Sequence, residues 1–218
     1  MSVMHLHSSF ADADWLPVLE GLLRGTQHSL NNRLAALDGV VSLQEMGLAR
    51  PEELQERLRA ELERLRQLLY LMRQLTPKTT PRREPGRIGD ALRAAAELFT
   101  HRADSREVSI AKIDEEPDDA DPVMLWRADR FRAMVLLLIA ASEAAVPGSV
   151  LHVTIRGGDH LVHVTVAGAI APSEAVESPV YQALVRFAAA EKGGCSCAPS
   201  GAGTAAMTLT LPGMSFSR

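Results

Sequence analysis

The sequence predicts an α+β protein in two parts. The first is an N-terminal antiparallel helical hairpin, a four-helix bundle in a dimer, and the second is an α/β sandwich of helices on one face of a mixed sheet. Three observations carry this reading. Apolar residues recur at three- and four-residue steps through two long stretches before residue 76. A run with Pro77, Pro81 and Pro85 and no apolar period follows. Beyond it, helical periods alternate with period-two strands. The boundaries expected are a tail at 1–13, the hairpin at 14–76, a linker at 77–87 and the sandwich at 88–214.

The first helix spans about Asp14 to Met46, with Leu16, Leu19, Leu23, Leu30, Leu34, Leu37 and Val41 in one narrow sector. Gly47 and Pro51 supply a stop and a new start. The second arm, about Pro51 to Leu75, carries Leu54, Leu58, Leu62, Leu65, Leu69, Met72 and Leu75 on one stripe, and its charge-rich run Glu52 to Arg66 reads as a solvated face. Two helices leave part of each stripe uncovered, so a homodimer is expected.

In the second part, helices are expected at about Ile88 to Arg102, Pro122 to Val146 and Pro179 to Lys192. Strands are expected at Val108 to Ile113, Val150 to Arg156, His160 to Val166, Gly194 to Ala198 and Thr204 to Leu211. Gly157-Gly158-Asp159 pairs the second and third of these as a hairpin. Asp114 to Asp121 reads as an acidic loop and Ser173 to Ser178 as a short one.

Composition narrows the partners. With a net charge of −4 and a pI near 6.0 there is no electrostatic footprint for nucleic acid or an acidic membrane surface. The two cysteines, Cys195 and Cys197, are too close for an ordinary disulfide and too few for zinc, which fits a reducing cytoplasm. No run approaches the ~18 apolar residues of a membrane span, and no basic segment with an apolar run marks export. His152, His160 and His163 read as surface residues of the strand hairpin rather than metal ligands.

The residue that stands out is His28. It points ~160° from the centre of the apolar sector of the first helix. A core histidine would sit on the apolar face, so this one is offered to something outside. Gly21, Gly25, Ala35, Ala36 and Gly39 share its side, along with Ser29 beside it and Asn32 one turn on. Glycine inside a helix costs ~1 kcal/mol relative to alanine, and small side chains let another protein's backbone come close. These residues form the expected docking face.

The order of parts resembles the core of bacterial sensor histidine kinases: a dimerisation and phosphotransfer hairpin, then an ATP-binding domain of the Bergerat type. Gln27-His28-Ser29-Leu30-Asn31-Asn32-Arg33-Leu34 resembles the H-box, which makes His28 the phosphorylatable residue. Ala128-Asp129-Arg130-Phe131-Arg132-Ala133-Met134-Val135-Leu136 resembles the run entering the N-box helix. Val185 to Gly194 and Gly201 to Pro212 resemble the family's final helix and closing strands.

The departures are specific. Ala141 stands where the family has its magnesium-holding asparagine, with Ala140 and Leu137 at other usually polar positions, and a methyl group cannot ligate a hard cation. Val166-Ala167-Gly168-Ala169-Ile170-Ala171-Pro172 lacks the aspartate that recognises adenine, and no glycine-rich lid follows. Ser29 replaces the acid that follows the family's histidine, and a hydroxyl is a weaker base.

The resemblance with these losses implies a histidine phosphotransferase derived from a kinase core, a phosphoryl carrier rather than an ATP-dependent kinase. It would relay a phosphoryl group between aspartates of receiver domains through His28, with Arg24 steadying the phosphate and Asn32 bonding it. No cofactor or metal of its own is expected, and Mg²⁺ belongs to the partner receiver. The alternatives are a kinase-derived scaffold or inhibitor of a two-component system, and a divergent ATP-dependent kinase.

Overall fold

The computed structural model describes residues 12–48, 50–75, 83–101, 107–115, 123–158, 160–201 and 203–213. Most of the N-terminal tail, much of the proline-rich run and most of the acidic loop lie outside them. The hairpin is α1 (Asp12–Glu45) and α2 (Pro51–Leu75). Gly47, at φ +64°, adopts the left-handed conformation that ends α1.

Then come β1 (Arg83–Gly86), α3 (Ile88–Phe99), β2 (Ser109–Glu115), β3 (Val123–Trp126) and α4 (Arg127–Glu143). The chain closes with β4 (Val150–Gly158), β5 (Leu161–Gly168), α5 (Pro172–Glu177), α6 (Pro179–Ala190), β6 (Gly194–Gly201) and β7 (Thr204–Pro212). Five strands form one sheet in the order β2-β4-β5-β7-β6, with β2 parallel to β4 and the other pairs antiparallel. One sheet face is apolar: Leu151, Val153, Ile155, Val162, Val164, Val166, Met207, Leu209 and Leu211 are buried against the helices. The other face carries paired polar residues, with Thr165 and Thr208 hydroxyls 3.0 Å apart and His163 Nδ1 3.0 Å from Thr210. α4 is the central beam, buried from Asp129 through Ser142.

Three local expectations are corrected. Val123–Trp126 is a strand rather than the first turn of the second helix, because it pairs antiparallel with Arg83–Gly86, itself inside the stretch read as a linker. Pro85 is tolerated in so short a two-stranded ribbon. Most of Ser173 to Ser178, read as loop, lies in α5, started by Pro172 at its first turn.

The third correction concerns α1. Its buried large apolar residues are Trp15, Leu22 and Val40, whereas Leu16, Leu23, Leu34 and Val41 of the predicted stripe are exposed, as are Leu58, Leu62 and Leu69 of α2. The cause is a second seat. α1 packs on α3 and α6 as well as on α2, which rotates its buried arc away from the leucines.

No described helix is long and apolar enough to cross a membrane.

Candidate functional site

His28 is exposed near the middle of α1. Residues four apart share a helix face, and Asn32 Nδ2 lies 3.2 Å from His28 Nε2. An amide N–H donating to Nε2 leaves the ring proton on Nδ1 and engages the one lone pair of Nε2, which is free to attack a partner's group once Asn32 lets go of it. Arg24 does not join them. Its guanidinium donates to Glu20 Oε1 at 3.2 Å, an exposed pair worth about 0.3–0.5 kcal/mol at most.

Ser29 is turned to another partner. Its Oγ is 3.0 Å from Nδ1 of His101, in the turn after α3, so the hydroxyl ties the hairpin to the second domain. Arg33, one turn along, donates to Glu61 of α2 at 3.3 Å, and Arg64 binds the other oxygen of the same carboxylate. Glu61 is buried, although it lies in the run read as a solvated face.

Of the expected docking residues, Ala35, Ala36 and Gly39 are exposed and Gly21 is half-buried; a Cβ at Gly21 or Gly39 would meet nothing within 4 Å. Gly25 is buried, with its neighbour Thr26.

Further links join the two parts. Arg132 of α4 lies over the Trp15 ring, 5.1 Å from its centroid. Arg186 donates to Asp14 at 2.6 Å, and Arg127 donates to the Tyr70 hydroxyl at 3.5 Å. His101, Glu61 and Trp15 were not singled out from sequence. The His101 contact spans 72 residues, which no local pattern signals.

His101 carries a pH dependence. Burial, then the nearby Arg33 charge, lowers its pKa from the usual 6.5. The folded state therefore disfavours the proton that the unfolded state takes up near pH 6.5. The stability this group contributes is complete above that pH and is lost as the pH falls toward the lower folded value. Urea midpoints measured between pH 7.5 and 5 should fall more steeply for the wild type than for His101→Gln; parallel slopes would contradict this account.

Leu137, Ala140 and Ala141 are fully buried. The segment after β5 is closed onto the end of α4, with Val146 N–H donating to Ala169 O at 2.9 Å and Ala171 N–H to Ala144 O at 2.8 Å. Among the described residues no three His, Cys, Asp or Glu side chains group as a metal site. Burial pushes the Cys195 thiol up to about 12, which keeps it protonated and unreactive at neutral pH.

One solved structure matches most of this chain and a second matches about three fifths of it. Histidine kinase AdeS of Acinetobacter baumannii superposes with a TM-score of 0.50 at 16% identity, over 86% of this chain and 98% of that one. The catalytic domain of histidine kinase ThkA superposes with a TM-score of 0.51 at 12% identity, over 60% of this chain and 97% of that one. No family model and no curated protein matches the sequence. The likeness is one of fold: a helical hairpin followed by an α/β domain of the histidine kinase catalytic type.

Proposed function

We propose that the protein is a phosphoryl carrier that accepts a phosphoryl group from a receiver-domain aspartate on His28 and returns it to a second receiver, without binding ATP. The observation that carries this reading is the exposed His28 with Asn32 set at its Nε2. The Nε2 lone pair attacks phosphorus, the bond to the aspartyl oxygen breaks, and the carboxylate leaves with that electron pair. The metal that neutralises the moving charge is supplied by the receiver. The buried, oxygen-free face at Leu137, Ala140 and Ala141 supports a donor other than ATP. Such partners place the protein in the cytoplasm.

The exposed leucines of the hairpin support a homodimer. Leu16, Leu23, Leu34 and Val41 of α1 and Leu58, Leu62 and Leu69 of α2 are the apolar surface that a second hairpin would cover. The wild type is expected to sediment as a dimer and Leu23→Glu/Leu62→Glu as a folded monomer; a monomeric wild type at micromolar concentration would remove the bundle.

The test of the function is incubation with a radiolabelled phospho-receiver. Label should move to this protein in a bond that survives alkali and breaks in acid, as a phosphoramidate does. Retention of all label on the receiver would reject the reading. ATP in place of the phospho-receiver should give no labelling.

A further inference from the structure

We propose that the cavity at the junction of α2, β1, α3 and α4 is a binding site for a small phosphate-bearing molecule. The cavity holds about 240 Å³ and takes its walls from both parts of the chain. The hairpin contributes Tyr70 and Gln74, and the second domain contributes Arg87, Arg127 and Arg130.

The charges do not cancel. Glu84 is engaged by Arg130, whose guanidinium donates to its Oε1 at 3.3 Å, and Asp90 is engaged by Arg93 at 2.6 Å, outside the cavity lining. Among the described residues neither Arg87 nor Arg127 has a carboxylate partner; Arg127 reaches only the Tyr70 hydroxyl, at 3.5 Å. Two guanidinium groups therefore remain for one dianion, and their forks suit the paired oxygens of a phosphate.

The walls are built for this. Arg130 is buried and donates to the carbonyl of Leu125 at 3.1 Å and to that of Glu84, which fixes it as the cationic floor. Gly86 makes that possible, because a Cβ there would land on the Arg130 guanidinium. The first turns of α3 and α4 reach the cavity at Asp90 and Arg127, and although neither helix has a side-chain N-cap, Asp90 and Asp129 in those turns offset their positive ends, so the field of the cavity is that of its arginines. Ala91, Ala94 and Phe131 give an apolar wall for the remainder of a phosphomonoester. The site is distinct from His28, with which it shares no residue.

The test is thermal unfolding of the full chain in inorganic phosphate, at constant ionic strength set with potassium chloride, with succinate as a carboxylate control. Phosphate should raise Tm saturably, by about 2–4 °C at roughly five times its Kd. His28→Ala should keep the rise, and Arg87→Gln, Arg127→Gln and their combination should lose it. Arg87 is exposed and has no described partner, so its variant keeps the fold and isolates binding. No saturable rise in the wild type, an equal rise in Arg87→Gln/Arg127→Gln, or a rise with succinate alone would overturn the proposal.

Discussion

Asp129→Ala is expected to lower the unfolding free energy by about 3–5 kcal/mol, seen as a large drop in urea midpoint at unchanged slope. Asp129 and Arg132 are both buried in the first turns of α4, with Arg132 Nη1 3.8 Å from Asp129 Oδ1. The same guanidinium lies on Trp15 of α1 at 5.1 Å, so the pair sits under the seat that joins hairpin to domain. Removing the carboxylate takes a negative partner from a buried guanidinium, and also takes a negative group from the α4 N-terminus. Removing both charges is different. Asp129→Ala/Arg132→Met exchanges an ion pair for apolar volume and should recover part of the loss, because the desolvation cost disappears with the guanidinium. A double variant no more stable than Asp129→Ala, or a single loss below about 1 kcal/mol, would show that the pair contributes little.

The elements that carry their own period were legible in the sequence. α2 is amphipathic along its length, β4 and β5 alternate strictly, and Gly157-Gly158 pointed to their hairpin. The pairing of Arg83–Gly86 with Val123–Trp126 was not, because four-residue strands 37 or more positions apart leave no periodic signal, and Pro85 argues against a strand locally. The face of α1 was half legible. Its leucine stripe is real, but Trp15 and Leu22 join the core of the second domain, since the seat on α3 and α6 is set by tertiary packing. The site divides in the same way. His28 with Asn32 follows from a four-residue step on one helix, whereas Ser29 with His101 depends on where the second domain docks.

His28→Ala should lower the rate of label transfer from a phospho-receiver by more than about a thousandfold, at least about 4 kcal/mol of barrier, since the neighbouring Ser29 hydroxyl is turned to His101. Circular dichroism and sedimentation should be unchanged, because the side chain is exposed and its hydrogen bond is to Asn32 on the same helix. Asn32 separates positioning from mere proximity. Its amide sits 3.2 Å from Nε2, so as the nitrogen bonds phosphorus the N–H can pass to a phosphoryl oxygen. A hydrogen bond to a charged group is worth about 1.5–3 kcal/mol, so Asn32→Ala should slow transfer roughly 10- to 100-fold. Asn32→Asp should be slower still. Its carboxylate would repel the incoming phosphoryl oxygens, and by accepting a proton from Nε2 it would favour the tautomer whose lone pair lies on Nδ1, away from the partner. The order wild type, Asn32→Ala, Asn32→Asp, His28→Ala in single-turnover rate is therefore the signature of attack through Nε2. An Asn32→Asp protein that matches or exceeds Asn32→Ala would place the nucleophile on the other ring nitrogen.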